Sequence, residues 1–237
     1  MTRFGFGYLS SGGTPGNDSF TKILLHMDGS NGSTTFTDVN AGGSSHVWTP
    51  TNATISNLSA KFGSTSMLTS AGYISTPAHA DFNIGTNDFA VDFWFNNNGV
   101  AGSSGYGLCG QSDSVGNLGT QSFFIIRAGA TGPIFVSLVS SGVGSVSSLT
   151  GTTGFSGTSG WHHIALTKAG TTFRLFIDGV QEATTTLSSI NTSSRPFTIG
   201  RSGDSGTASS ASLDEFRYTV GSPRWTANFT PPTSAYV

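Results

Sequence analysis

The sequence is poor in charged residues, which make up 9% of the chain, with 10 Lys and Arg against 12 Asp and Glu. Nucleic-acid-binding domains usually carry a basic patch, so a net charge of −2 argues against a nucleic-acid partner. Glu, Lys and Gln, which with Ala and Leu build most soluble helices, are also scarce. This composition is not typical of a helical protein.

The chain has a single cysteine, Cys109, which excludes an intrachain disulfide. We interpret Cys109 as a small strand hydrophobe and not as a nucleophile. No segment approaches the ~20 apolar residues of a membrane-spanning helix, and the first 13 residues lack the apolar core of a signal peptide. We therefore expect no membrane partner, and synthesis in a bacterial cytoplasm without export.

Aromatic residues reach 11%, with 18 Phe, and 33 Gly accompany many Ser and Thr. Short alternating segments recur between turn signals. In the segment from Phe89 to Asn96, for example, Phe89, Val91, Phe93 and Phe95 share one face. About a dozen such strands, without helical periodicity, predict an all-β protein. The expected fold is a two-sheet antiparallel jelly-roll sandwich over residues 20–237.

Residues 1–19 differ from the rest of the chain. Four apolar side chains lie among glycines without a regular period: Phe4, Phe6, Tyr8 and Leu9. One interpretation is a frayed terminus. The other is a short N-terminal arm whose aromatic residues anchor it to a partner protein.

Two adjacent histidines, His162 and His163, open the segment from 160 to 186. Successive residues of a strand point to opposite faces, so one strand cannot direct both imidazoles at the same metal or substrate. Asp178 belongs to an Asp-Gly pair, which is typical of a hairpin turn. The pattern favours two hairpin strands with packed histidines over a catalytic cluster.

The stretch "GWHHIALTKAGTTFRLFIDGV" resembles the signature hairpin of laminin-G-like domains, within the concanavalin-A-like jelly-roll group. "DFAVDFWF" resembles the central strand of that family, and "PFTIGR" and "LDEFRYTV" resemble its closing strands. The resemblance extends over roughly residues 20 to 236. The ending "RWTANFTPP" is similar to domains of bacteriophage structural proteins.

The resemblance implies that many members hold one Ca²⁺, which prefers carboxylate and carbonyl oxygens. Asp28 and Asp214 match the positions where the first and last strands of such domains run side by side, and Asp38 is a further candidate. The alternative is that Asp28 and Asp38 accept hydrogen bonds from nearby backbone amides in Asx-turns. The sequence leaves both interpretations open.

Carbohydrate binding in such a domain would use exposed aromatic rings and amides in the loops. The candidates that the loops offer are Trp48, Asn97, Tyr106 and Gln111. Trp94 and Trp161 are expected in the core. Trp225 is expected to pin the C-terminal tail onto the sandwich.

Glycosidases of this fold group use closely spaced carboxylates, and this chain has only two glutamates, Glu182 and Glu215. On a regular strand, Asp214 and Glu215 would face opposite ways, whereas Glu215 and Arg217 would share a face. We interpret Glu215 and Arg217 as a structural ion pair. The sequence therefore favours binding over catalysis.

Together, these features predict a non-enzymatic virion structural protein of a bacteriophage, a tail or capsid-surface decoration component that binds a host glycan. Its other partners would be further virion proteins, contacted through the arm, and copies of itself in a homo-oligomer. The alternatives are a carbohydrate-binding module in cell-surface adhesion and a polysaccharide-degrading enzyme. The sequence leaves the glycan, the host and the place on the particle open.

Overall fold

The structure, a computed structural model, describes residues 16–98, 106–112, 122–127, 132–140, 146–155, 160–203 and 208–237. The arm residues Phe4, Phe6, Tyr8 and Leu9 lie outside the described residues. The strands are β1 (Thr21–Leu25), β2 (Thr49–Thr51), β3 (Thr54–Ser56), β4 (Ser66–Leu68), β5 (Tyr73–Thr76), β6 (Phe89–Asn96), β7 (Tyr106–Gly110), β8 (Phe123–Arg127), β9 (Ile134–Val139), β10 (Val146–Thr150), β11 (Trp161–Ala169), β12 (Thr172–Ile177), β13 (Val180–Thr186), β14 (Phe197–Ile199) and β15 (Ser212–Val220). A short 3-10 helix spans Ala80–Phe82.

The strands form two antiparallel sheets. The eight-stranded sheet has the order β13-β12-β11-β6-β15-β4-β3, and β1 also pairs with β15. The seven-stranded sheet has the order β10-β9-β8-β7-β14-β5-β2. This architecture confirms the predicted all-β, two-sheet jelly-roll sandwich. None of the described segments is a helix of the length and apolarity that crossing a membrane requires.

The hydrophobic core lies between the sheets and follows the predicted alternation. Phe89, Val91, Phe93 and Phe95 of β6 are each at most 1% exposed. The Phe93 ring stacks on Phe216 with centroids 5.5 Å apart. Each such side chain contributes about 1.5–3 kcal/mol through burial, so this alternating strand is a main source of stability. Cys109 is also fully buried, and burial raises the pKa of its thiol, as expected of a packing residue.

The face of the eight-stranded sheet that points away from the core, here called the outer face, is also covered at its centre. Trp225 and Phe229 of the C-terminal tail stack with centroids 4.0 Å apart. Both rings lie edge-on to His163, each with a centroid distance of 5.6 Å. The tail is therefore pinned to the sheet as predicted, and this cover helps to bury Asp92 at the centre of β6.

Beneath the tail lies a buried ionic network. The Arg217 guanidinium donates to the Asp92 carboxylate, with Nε 2.9 Å from Oδ1, and the Tyr236 hydroxyl donates to Asp92 Oδ2. His163 Nε2 lies 3.4 Å from the same oxygen. Burial alone would raise the pKa of Asp92, but the Arg217 charge and the bonds from His163 and Tyr236 outweigh it and lower that pKa. Asp92 therefore stays ionised inside the protein.

The two adjacent histidines face opposite sides of β11, as predicted. His163 is fully buried on the outer face, whereas His162 is partly exposed and bonds to Asp178, with Nδ1 2.7 Å from Oδ2. Asp178 sits in the Asp-Gly turn with φ of 50° and also accepts the His163 backbone N–H at 2.8 Å. The pair is thus structural and does not converge on one site.

A β-bulge in β15 overturns two sequence predictions. The β6–β15 register shifts between Asp214 and Arg217, and Glu215 has a φ of 50°. Asp214 and Glu215 consequently both point to the outer face, not to opposite faces. Glu215 binds His26 Nδ1 at 2.8 Å and the Tyr236 backbone N–H at 2.9 Å. The predicted ion pair between Glu215 and Arg217 is therefore wrong, since Arg217 pairs with Asp92.

The described end of the predicted arm lies against the domain. The backbone N–H groups of Gly16 and Asn17 donate to the Val237 carbonyl oxygen, each at 3.2 Å. The Gly16 carbonyl oxygen accepts from the Thr21 hydroxyl at 2.8 Å. Residues 16 and 17 are thus hydrogen-bonded to the C-terminal end of the domain.

Asp92→Asn should destabilise the protein strongly, because it leaves the Arg217 guanidinium buried without a charge partner. We expect the free energy of unfolding in urea to fall by about 3–5 kcal/mol. The matched control is Asp18→Asn, which breaks the Asp18–Arg224 pair, with Asp18 46% exposed. That change should cost under about 1 kcal/mol. Equal losses for the two variants would contradict the role of the buried pair.

Burial raises the pKa of Asp214 to about 8, despite the backbone N–H groups that its oxygens accept. The unfolded carboxyl titrates near 3.9, so between about pH 4 and 8 the folded chain holds the extra proton. The contribution of Asp214 to stability is therefore present at low pH and lost as the pH rises to about 8. Asp214→Asn should flatten the fall in unfolding free energy between pH 5 and pH 9.

The contribution of His26 to stability also falls as the pH rises, and His26 is still present in the Asp214→Asn variant. The hydrogen bond to Glu215 raises its pKa, so its stabilisation is lost as the pH rises through that value. Asp18→Asn serves as the control, because the hydrogen bond from Arg224 lowers the pKa of that carboxyl and its titration lies below pH 5. It should leave the slope between pH 5 and pH 9 unchanged. If Asp214→Asn kept the wild-type slope of unfolding free energy against pH, the raised pKa of Asp214 would be contradicted.

Candidate functional site

A groove of about 550 Å³ opens at one end of the outer face of the eight-stranded sheet. Its lining carries hydroxyls, amides and two leucines, and among the residues that the structure describes it includes no charged side chain. The lining residues are Leu58, Ser59, Leu68, Ser70, Asn96, Asn98, Ser210 and Ser212. We call this site the serine–asparagine groove.

The floor of the groove is a row across three neighbouring strands. Ser212 of β15 pairs with Leu68 of β4 on one side and with Asn96 of β6 on the other. The neighbouring residues Met67 and Leu213 point into the core. Strand alternation therefore directs the three floor side chains to the outer face.

The walls come from loops that follow the strands. Leu58, after β3, is 82% exposed and offers an apolar side chain at the wall of the groove. Asn98, after β6, has a φ of 52°, a conformation that asparagine tolerates better than most residues. Its Nδ2 donates to the Ser212 hydroxyl at 3.1 Å, and its backbone N–H donates to Asn96 Oδ1 at 2.9 Å. The groove polar groups are thus held in place by one another.

Trp161 stands beside this groove and corrects a sequence prediction. It lies opposite Asn96 in the β6–β11 register and is only half-buried, outside the core in which it was expected. Cross-strand partners share a face, so its side chain is on the outer face with Asn96. Trp94, on the same face, is buried as expected, but beneath Lys61, whose Nζ lies 3.7 Å from its ring centroid.

Three of the four residues predicted to bind a glycan are buried and cannot reach one. Trp48 is 6% exposed and packs edge-on against Phe197 in the core. The Asn97 amide donates to the Phe155 carbonyl oxygen, and the Gln111 amide donates to the Arg195 carbonyl oxygen, both at 3.0 Å. Tyr106 is half-buried.

Asn97 was the amide predicted to bind a glycan in its segment, whereas the structure places its neighbours Asn96 and Asn98 in the groove. The signal that would have found them is strand alternation. Asn96 continues the outer-face series of Asp92 and Trp94, and Asn97 takes the opposite direction.

The three aspartates predicted to bind calcium do not fit one shared site. The Asp214 oxygens already accept the backbone N–H groups of Lys61, Phe62 and Glu215, at 2.8, 3.1 and 2.9 Å. Within the described parts of the chain, one group of three His, Cys, Asp or Glu side chains brings its ligand atoms within 4.8 Å of one another, and these aspartates are not that group.

The other two aspartates make separate contacts. Asp38 Oδ1 accepts the Asn40 N–H at 3.1 Å, which is the Asx-turn of the alternative interpretation, and it also accepts the Leu24 N–H. Asp28 is exposed and accepts the Thr65 hydroxyl at 3.3 Å. Calcium binding at Asp28, with loop carbonyl oxygens, stays a prediction.

The two glutamates do not form a hydrolytic pair. Glu182 lies on β13 and Glu215 on β15, four strand positions apart, which corresponds to roughly 19 Å at ~4.8 Å per strand. Glycosidases need their two carboxyl groups within about 5–9.5 Å. Glu182 accepts the Thr152 N–H at 2.7 Å, and Glu215 is 2% exposed. Both glutamates serve as anchors for neighbouring segments.

The fold has solved relatives. The binding domain of Paraclostridial Mosquitocidal Protein 1 superposes with a TM-score of 0.64 at 15% identity, over 84% of this chain and 48% of that one. The binding domain of botulinum neurotoxin DC in complex with SialylT superposes with a TM-score of 0.61 at 16% identity, over 86% of this chain and 48% of that one. This chain thus spans about half the length of those binding domains. At this identity, the likeness establishes the fold alone.

Curated protein sequences include no match to this chain. A family model does match it, over residues 68–219, and that model describes the Concanavalin A-like lectin/glucanases superfamily. The matched region starts at the end of β4 and ends in β15, so it includes the strands at the centre of both sheets. The chain therefore belongs to the laminin G family within the concanavalin A-like lectin and glucanase superfamily.

Proposed function

We propose that this domain binds a neutral cell-surface glycan in the serine–asparagine groove and does not hydrolyse it. The observation that carries the proposal is the lining of the groove, whose described residues combine hydroxyl and amide groups with an exposed leucine and carry no charge. Sugars present this same combination of hydroxyl groups and apolar C–H faces.

The groove chemistry matches a sugar ring in two respects. Asn98 and the groove serines offer both hydrogen-bond donors and acceptors, which sugar hydroxyls require. Leu58 and the half-buried Trp161 offer apolar surface next to these polar groups. A few convergent polar groups on an apolar background are typical of small-molecule sites.

Two findings support binding over hydrolysis. The glutamates lie on strands too far apart for a glycosidase pair, and Glu215 is buried under the tail. Among the structural neighbours, one binding domain is in complex with SialylT, and another belongs to a neurotoxin whose cell entry depends on two ganglioside molecules. Those ligands belong to the toxins, and the groove of this chain is where we place a glycan.

We further propose that the domain acts on a bacteriophage particle as a homo-oligomeric tail or capsid-surface component, attached through residues 1–15. The support is the resemblance of residues 224–232 to phage structural proteins and the apolar side chains of the N-terminal segment. Symmetric oligomers are the usual form of such attachments.

Asn98→Asp and Leu58→Ala should each weaken glycan binding. Asn98→Asp keeps the size and the tolerance for positive φ but removes the amide donor, and one hydrogen bond is worth about 0.5–1.5 kcal/mol. We expect the Kd to rise about three- to tenfold. The measurement is a titration with the best bacterial polysaccharide from a glycan array.

Val180→Ala is the matched control for Leu58→Ala, because Val180 is 54% exposed and lies outside the groove. It should leave the Kd unchanged. The proposal fails if the wild-type protein binds no glycan on the array, or if the groove variants bind as tightly as the wild type.

Deletion of residues 1–15 tests the attachment to a particle. The remaining chain keeps the contacts that Gly16 and Asn17 make with Val237, so its thermal unfolding should match that of the full chain. We expect the deleted protein to be absent from purified particles, as measured by mass spectrometry. Normal incorporation of a folded deletion variant would refute attachment through this segment.

A further inference from the structure

A second cluster of functional groups lies apart from the groove residues, where the loop before β2 meets the 3-10 helix. It consists of His46 in that loop, His79 at the N-cap of the helix, and Asp81 in its first turn. One ligand atom of each residue lies within 4.8 Å of the other two. The Phe82 side chain is buried, which anchors the helix, and His46 packs on its ring at a centroid distance of 4.6 Å.

The distances match those between ligands of one metal ion. Asp81 Oδ2 lies 3.4 Å from His46 Nε2 and 3.3 Å from His79 Nδ1. A tetrahedral zinc ion with bonds of about 2.0–2.1 Å separates its ligand atoms by about 3.3 Å. Two of the three separations are therefore those of a zinc site, and the third, between the two histidine nitrogens, is at most 4.8 Å.

His46 provides an independent observation. Its side chain is 4% exposed, and Nε2 is buried without a hydrogen-bond partner, even though it is directed at the Asp81 carboxylate. A buried nitrogen without a hydrogen-bond partner costs free energy. A bound cation would satisfy this nitrogen.

The other ring nitrogen of His46 is supported as in metal-bound histidines. The ring makes a hydrogen bond with the Lys22 backbone, and because Nε2 is unpaired, this bond uses Nδ1. A second hydrogen bond of this kind orients the ring of a metal-binding histidine.

The other two side chains are held by backbone groups. Asp81 Oδ2 accepts the Ser44 N–H at 2.6 Å, which fixes the carboxylate and leaves it able to bind a cation. His79 Nδ1 accepts the Asp81 N–H at 3.1 Å, a bond that a metal at this nitrogen would replace. The His79 side chain is 41% exposed, so an ion can reach the cluster from solvent.

We propose that His46, His79 and Asp81 bind one Zn²⁺ ion, with water in the fourth position. Two imidazoles and one carboxylate are typical zinc ligands, whereas Ca²⁺ and Mg²⁺ prefer sites built of oxygen alone. The site joins the loop before β2 to the 3-10 helix. It is independent of glycan binding, because none of its residues lines the serine–asparagine groove.

The test is isothermal titration calorimetry, in which ZnCl₂ is added to the full-length, tag-free, EDTA-treated protein. We expect one Zn²⁺ per chain, no binding of Ca²⁺ or Mg²⁺ at the same site, and a higher unfolding temperature with zinc. Co²⁺ in place of Zn²⁺ should give the visible absorption of a tetrahedral complex. His79→Asn, which keeps an acceptor at the N-cap, and Asp81→Asn should each weaken Zn²⁺ binding at least tenfold.

His162→Asn is the matched control, because it removes a partly exposed histidine that is also paired with an aspartate. It should bind zinc like the wild type. Circular dichroism without metal establishes that each variant is folded. No binding by the wild type, equal binding by folded His79→Asn and the wild type, or equal weakening by His162→Asn would each overturn the proposal.

Discussion

The structure depends on the buried pair between Asp92 and Arg217, at the centre of a sheet that is covered on both faces. An unpaired charge at this depth costs several kcal/mol. The groups that bond to the pair and the tail that covers it must therefore both keep their positions. Tyr236 donates to the Asp92 carboxylate, and the Arg217 guanidinium lies 3.8 Å from the Tyr236 ring centroid. The C-terminal tail is thus part of the fold and follows a path that this pair determines.

The same cover determines where a ligand has access. Along β6, Asp92 lies beneath the tail, Trp94 beneath Lys61, and Asn96 in the open groove. These three residues have the same orientation on one strand, and only the segments above them differ. The groove is therefore the part of the outer face that the tail and the loop after β3 leave open at this end of β6. Binding specificity in this arrangement depends on loop residues, while the sheet supplies a rigid floor.

The sequence predicted those features that follow from local periodicity. The alternation of β6 and the opposite directions of His162 and His163 depend on neighbouring residues alone. The sequence could not predict the bulge at Glu215, which lies where β15 pairs with both β6 and β1. The positions of Trp48 and Trp161 were also missed, because the burial of a side chain in a loop or at a strand end depends on segments distant in sequence.

The pairing of β1 with β15 has a consequence for synthesis. His26, just after β1, contacts Glu215, which lies 189 residues further along the chain. At roughly 5–20 residues per second, a ribosome needs about 10–40 seconds to translate that interval. During this time the backbone edge of β1 has no partner from β15, and a nascent chain with such an edge invites intermolecular pairing and chaperone binding. The first strand of this domain is therefore among the last to reach its native position.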